Sequence, residues 1–234
     1  MTSIAHQLQQ VRDRIATACA SAGRDVQDVT LLAVSKTFPA AAVRAAHAAG
    51  QRAFGENYIQ EGVDKIAALA DVPGIAWHCI GPIQSNKTRL VATHFDWAHT
   101  IDRLKTAERL SAQRPAHLPP LNVCLQINID GGPTKAGVPP GEAEALALAR
   151  AVAALPRLRL RGLMTIPEPA PDFKSAYAVH ARAKALFDAL NAAGLRLDTL
   201  SMGMSADMEA AIAAGSTLVR VGTAIFGARG VRAG

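Results

Sequence analysis

The sequence predicts a single (β/α)8 barrel of the TIM type, an α/β fold, with an extra N-terminal helix before its first strand. Three observations predict it. Eight short apolar runs are separated by helix-patterned segments, which implies parallel pairing. The chain has 234 residues, close to what one such barrel occupies. No low-complexity linker and no short-period repeat divides it. We therefore read residues 1–234 as one domain, with 1–23 as the N-terminal helix and 29–229 as the barrel.

Each element has its own signal. Ile4, Leu8, Val11, Ile15 and Cys19 recur at steps of three and four and form one helical stripe that ends near Gly23. The run Val29 to Lys36 is too compact for a helix and reads as a buried strand. Ala40 to Ala49 is helical and stops at Gly50, before the strand Arg52 to Glu56. A helix from Tyr58 to Leu69 leads to the strand Ile75 to Gly81. Ser85 reads as the N-cap of a short basic helix, followed by the strand Phe95 to Asp102 and a helix over Arg103 to Gln113. The strand Leu121 to Ile129 enters a Gly/Pro-rich loop, Asp130 to Gly141, and the helix Glu142 to Ala154. The strand Leu158 to Ile166 and the helix Phe173 to Ala193 follow. The strand Thr199 to Gly203, the helix Asp207 to Ala214 and the strand Thr217 to Gly222 complete the series.

Composition removes other classes. Lys and Arg total 25 against 19 Asp and Glu, a net charge of +6. Half the residues are hydrophobic but only 4% are aromatic, so the apolar content is mostly alanine and small aliphatics. That apolar fraction is too high for a disordered chain. No apolar run approaches the roughly 20 residues a bilayer span needs, so no membrane role is expected. The start, MTSIAHQLQQVRDR, carries no basic leader with an apolar block, so no secretory signal is expected. Cys19, Cys79 and Cys124 are odd in number and far apart, which fits a reducing cytoplasm and neither a disulfide framework nor a metal cluster. The arginines are scattered, with no basic–aromatic interleaving, so no nucleic-acid partner is expected.

In such a barrel, chemistry sits where strands end. Lys36 ends the first strand, where low-dielectric walls lower an amine's pKa and favour attack on a carbonyl; a lysine simply reaching solvent is the plainer alternative. The seventh and eighth strands end in Ser201-Met202-Gly203-Met204-Ser205 and Val221-Gly222-Thr223. Loops in those places often cradle phosphate with backbone N–H groups, although ordinary turn and capping chemistry uses the same residues. Arg220 shares a strand face with Leu218, opposite Val219 and Val221, and a guanidinium there must face a partner, in a salt bridge or a ligand. Together these residues fit a phosphorylated carbonyl compound held as a Schiff base, such as pyridoxal 5′-phosphate (PLP).

The blocks LLAVSKTFP, FGENYIQE (Phe54 to Glu61), WHCIGPIQSNK (Trp77 to Lys87), GLMTI (Gly162 to Ile166) and SMGMSADMEAAIAAGSTLVRVGTAIFGAR extend this. With them the sequence resembles the YggS/PROSC family of PLP homeostasis proteins from about Ile4 to Arg229. That family's fold is similar to the N-terminal barrel domain of alanine racemase. The resemblance implies that Lys36 holds PLP as a Schiff base, that Ser201, Gly203, Met204, Ser205, Gly222 and Thr223 surround the phosphate, and that Arg220 faces the pyridine nitrogen. Asn57 and His78 match positions near the cofactor, and Lys135 matches a family lysine of no assigned role. Cys79 stands where many relatives carry an aromatic residue, which is expected to loosen packing below the ring.

Other candidates read as structural. His6, His47, His94, His99, His117 and His180 lack metal-ligand spacing and are expected at the surface or in caps. Glu56 and Tyr58 either orient the site or cap a helix. GGPTKAG lacks the spacing of a nucleotide loop.

The resemblance implies a carrier in intracellular PLP homeostasis, with PLP-dependent apo-enzymes as candidate recipients and a monomeric or weakly dimeric state. A guanidinium at the pyridine nitrogen leaves it unprotonated and a poor electron sink, which argues against robust catalysis. The sequence also ends soon after Gly222, so the β domain from which the related racemase supplies its second base is not expected. A low-activity amino-acid racemase and, outside PLP chemistry, a Schiff-base aldolase are the alternatives.

Overall fold

Residues 3–132 and 136–227 are described in a computed structural model of the chain. Helix α1 (Ile4–Ser21) starts where the Ser3 side chain accepts the His6 N–H, and it ends as the Ala22 N–H returns to Ala18 and Gly23 turns to φ +64°. It buries Leu8, Val11, Ile15, Ala18 and Cys19, the stripe its sequence shows. Removing each large aliphatic from water contributes on the order of 2 kcal/mol before entropy is charged. A single 3-10 turn, Val26–Asp28, leads into the barrel.

The barrel then alternates without exception. Its strands are β1 (Thr30–Val34), β2 (Ala53–Glu56), β3 (Ala76–Cys79), β4 (Trp97–Ile101), β5 (Leu121–Ile127), β6 (Leu158–Thr165), β7 (Thr199–Met204) and β8 (Leu218–Val221). The helices that follow them are α2 (Ala40–Ala48), α3 (Ile59–Ala68), α4 (Thr88–His94), α5 (Leu104–Gln113), α6 (Glu142–Ala153), α7 (Phe173–Ala192), α8 (Met208–Ala213) and α9 (Thr223–Phe226). The strands pair in chain order, all parallel, and β8 closes on β1. This is the closed barrel expected from the sequence. Among the described residues no helix is long and apolar enough to cross a membrane.

Helix α1 has a definite place in this ring. It packs on α8, α9 and α2. The helix after β8 has only four residues, too few to cover that part of the barrel, and α1 covers it. The sequence pattern shows no sign of α9, because four residues are too short for a helical period.

Strand alternation divides the core. Val219 and Val221 join the large cluster between sheet and helices. Leu32, Val34, Ile80 and Leu218 form a small separate cluster. Leu32 pairs with Arg220, so this second face is the barrel interior, as expected for Leu218 and Arg220. Cys79 belongs to the large cluster and is fully buried there. The expectation that it lies below a cofactor ring is therefore corrected: period-two alternation after the inward His78 turns it toward the helices.

Several ends differ from the sequence reading. β1 stops at Val34, and Ser35 to Phe38 form a turn closed by the Phe38 N–H on the Ser35 carbonyl at 3.1 Å. Helix α4 starts at Thr88, because Ser85 is taken up in a turn closed by the Lys87 N–H on Gln84 at 2.9 Å.

Candidate functional site at the C-terminal mouth

Lys36 leaves the barrel one residue after the buried Ser35 and is half-buried in the turn that follows β1. The neighbouring strand end belongs to β8. Arg220 lies beside Leu32, and Gly222 backs onto Val34 so closely that a Cβ there would stand 3.1 Å from the Val34 carbonyl oxygen. The first and last strands thus bring Lys36, Arg220, Gly222 and Thr223 to one sector of the mouth.

Arg220 is 4% exposed. Its Nη1 donates to Ser201 Oγ at 2.7 Å and its Nη2 to the Thr165 carbonyl at 2.7 Å. Burial pulls its pKa down to about 10, against the opposing charge of Asp207, so it stays a cation at neutral pH. Behind it runs a buried chain. Ser201 Oγ meets His99 Nδ1 at 3.0 Å, and His99 Nε2 meets His78 Nδ1 at 2.9 Å. Burial lowers both imidazoles, His78 to about 3 and His99 well below its usual range, so both are neutral near pH 7. His78 stacks on Trp97 with centroids 5.0 Å apart, and the Arg161 guanidinium lies 4.6 Å from the other ring's centroid. This end lines a cavity of about 400 Å3 with Trp97, Arg161 and Asp198, at the opposite mouth of the barrel.

The β7 end is held open by glycine. Gly203 has φ +95°, and a Cβ on it would come within 2.5 Å of the Ala211 Cβ. Asp207 fixes the turn: Oδ1 accepts the Met204 N–H at 2.7 Å and Oδ2 meets His180 Nε2 at 2.9 Å. Arg14 of α1 donates to the Ser205 carbonyl at 3.1 Å. Gly222 is the N-cap of α9, whose first N–H groups, including that of Thr223, lack intrahelical partners. At the β2 end, Asn57 Oδ1 is buried without a hydrogen-bond partner, as is Thr165 Oγ1 at the end of β6. A Cβ on Gly81 would collide with the Asn57 carbonyl, so glycine lets these two strand ends meet.

The sequence profile of the alanine racemase N-terminal domain matches residues 6–230. The pyridoxal phosphate homeostasis protein of Pseudomonas aeruginosa PAO1 is 60% identical over 229 residues, covering 98% of this chain and 97% of that one. The protein of the same name from Escherichia coli K12 is 58% identical over 231 residues, with 98% of each chain covered. This chain belongs to the pyridoxal phosphate homeostasis protein family. A solved family structure, PipY of Synechococcus elongatus PCC7942 with PLP bound, superposes with a TM-score of 0.80 at 41% identity, over 91% of this chain and all of that one. Alanine racemase of Clostridium difficile 630 superposes at 0.73 with 14% identity, covering 94% of this chain and 57% of that one, a likeness of fold alone.

Within this family frame, the structure gathers Lys36, Asn57, Gly203, Ser205, Arg220, Gly222 and Thr223 at the C-terminal mouth. Three of the expected residues have polar groups engaged within the protein. Ser201 points inward, and its hydroxyl is engaged with Arg220 and His99, because alternation places it in the layer of the arginine and not of the loop. Met204 has its N–H taken by Asp207, and the residue is 39% exposed. His78 sits at the far end of the buried chain, reaching Arg220 only through His99 and Ser201. His99 and His180, expected at the surface or in caps, are buried members of hydrogen-bond networks. Tyr58 is exposed at the N-cap of α3, whereas Glu56 is fully buried beside Lys65. Thr165, Asp207, Glu61 and Lys65 were not singled out in the sequence. Lys135 lies outside the described residues.

Proposed function

We propose that this chain holds PLP covalently on Lys36, as a Schiff base, and acts in PLP homeostasis by storing the cofactor and passing it to PLP-dependent apo-enzymes of the cytoplasm, without robust catalysis. The observation that carries the reading is Arg220, a buried cation anchored by Ser201 and Thr165 beside the strand that leads into the Lys36 turn. The residues fit the group. Gly203, Ser205, Gly222 and Thr223 offer glycine-opened loops and helix N–H groups for a phosphate. Asn57 Oδ1 and Thr165 Oγ1 are buried polar atoms without partners on the same rim. The PLP bound in the 41% identical PipY supports PLP as the ligand.

When bound, PLP supplies an electrophilic aldehyde and a pyridine ring able to draw electrons. The chain's own residues determine what is made of them. Lys36 would hold the group through its amine, at the aldehyde carbon. Arg220 can only donate, and its pKa near 10 keeps its protons in place, so it would hold the pyridine nitrogen without protonating it. An unprotonated ring withdraws electrons weakly, which favours safe carriage over carbanion chemistry.

Reconstitution with PLP, borohydride reduction and peptide mapping test this. The expected result is one pyridoxyl label on Lys36, delivery of PLP to an apo-enzyme in the presence of an aldehyde scavenger, and no α-proton exchange with a panel of amino acids in deuterated solvent. A label elsewhere overturns the covalent site, and time-dependent exchange overturns the non-catalytic role.

A further inference from the structure

Two peptide units flank Lys36, one carrying the Ser35 carbonyl and the other the Thr37 N–H. Both are gripped by one ion pair on α3. Lys65 Nζ donates to the Ser35 carbonyl at 2.7 Å, and the Thr37 N–H donates to Glu61 Oε1 at 2.6 Å. Lys65 Nζ also donates to that same Glu61 oxygen at 2.7 Å and to Glu56 Oε1 at 2.8 Å. Three oxygens use the full donor capacity of the ammonium. The Ser35 hydroxyl adds a bond to the same Glu56 oxygen. Glu56 closes β2, so β2 and α3 jointly hold the turn that follows β1.

The turn needs holding. Thr37 has φ +67°, at the third turn position, where a positive φ ordinarily selects glycine or asparagine. A β-branched residue there is strained and persists only when its surroundings over-determine it. Lys65 is only 6% exposed, and burying an ion pair is weak support for stability. What this pair does accomplish is geometric. With the peptide planes on both sides fixed, the direction of the Lys36 Cα–Cβ bond is fixed as well.

We propose that Glu61 and Lys65 are positioning residues for Lys36: they clamp its backbone so that the side chain leaves the barrel toward the ligand in one direction. This rests on the reading of Lys36 as the covalent site. In protein loaded with PLP, Glu61→Ala is expected to speed cofactor release on the order of tenfold, the scale set by small misplacements of a reacting group. Glu61→Gln, which keeps an acceptor for the Thr37 N–H, recovers most of the loss. Adding Thr37→Gly to Glu61→Ala also recovers it, because glycine adopts that φ without strain. A general loss of stability, followed through the thermal midpoint of the apo-protein, would show no such rescue. If Glu61→Ala does not fold, Lys65→Met applies the same release assay through the Ser35 carbonyl. Release at the unsubstituted rate, or a double variant as fast as Glu61→Ala alone, overturns the proposal. Peptide mapping of the borohydride-reduced unsubstituted protein separates the two readings: a label away from Lys36 sinks the covalent assignment whatever Glu61 does.

Discussion

Ser201 Oγ joins Arg220 to His99 through a single hydroxyl. A guanidinium only donates, so Ser201 Oγ accepts from Arg220 Nη1, and the arrangement that gives the hydroxyl proton an acceptor in this chain has it donated to His99 Nδ1. Neutral His99 then carries its proton on Nε2 and donates to His78 Nδ1, which leaves the His78 proton on Nε2, at the far cavity. Every buried proton in the chain then has an acceptor up to that cavity. Ser201→Ala removes the shared hydroxyl and leaves a charged donor and an imidazole nitrogen without it. The apo-protein is expected to lose about 1–3 kcal/mol in urea unfolding, the scale for an unsatisfied buried polar group. An unchanged midpoint would refute the arrangement.

The same histidines predict acid sensitivity. His78 falls from 6.5 to about 3 on folding, through burial first and the Arg161 charge second. A depressed folded pKa means that the unfolded chain binds the proton first. The contribution is therefore complete above pH 6.5 and is lost progressively as pH falls toward 3. Within that window His78 should give a slope of about 1.4 kcal/mol per pH unit in unfolding free energy. Replacing His78 by Phe should flatten the profile by that amount, read from urea midpoints at stepped pH. Parallel profiles for the two proteins would exclude it.

The barrel was legible because its signal is local. Eight apolar runs between helical periods determine a parallel closed sheet, and the alternation around Arg220 places it inside. Lys36, Gly203, Gly222 and Thr223 were legible because strand ends in a barrel converge on one mouth. His99 was not, because its meaning comes from Ser201, 102 residues away in sequence, and nothing in its own neighbourhood signals that contact. Glu61 and Lys65 show an ordinary i,i+4 pairing on a helix, and only the tertiary approach of the β1 turn reveals its second task.

Asp207 provides a test of the β7 loop. Burial pushes its carboxyl up, but His180 and the Met204 N–H outweigh this and hold the pKa below the ordinary value. The carboxylate thus ties α7 to the turn that follows Gly203. Asp207→Ala frees the Met204 N–H, and its loss resembles loss of a helix cap, about 1 kcal/mol. PLP should leave the loaded protein about fivefold faster, at that free energy, with the label still on Lys36. A release rate equal to that of the unsubstituted protein would show that the loop does not depend on this bond.

Gly81 offers the sharpest steric prediction. It follows Cys79 and Ile80 at the mouth, and its missing Cβ is the space the Asn57 carbonyl occupies. The obstacle is backbone, which cannot swing aside as a side chain can. Gly81→Ala must therefore separate the ends of β2 and β3, carrying Asn57 outward and removing its buried Oδ1 from the rim. Overpacking of this kind costs about 1–3 kcal/mol. Gly74→Ala makes a useful comparison, since a Cβ there meets nothing within 4 Å, although its φ of +75° carries strain of its own. The expected result is a lower thermal midpoint for both variants, with faster PLP release only for Gly81→Ala. Equal release rates would mean that Asn57 does not contribute to the site.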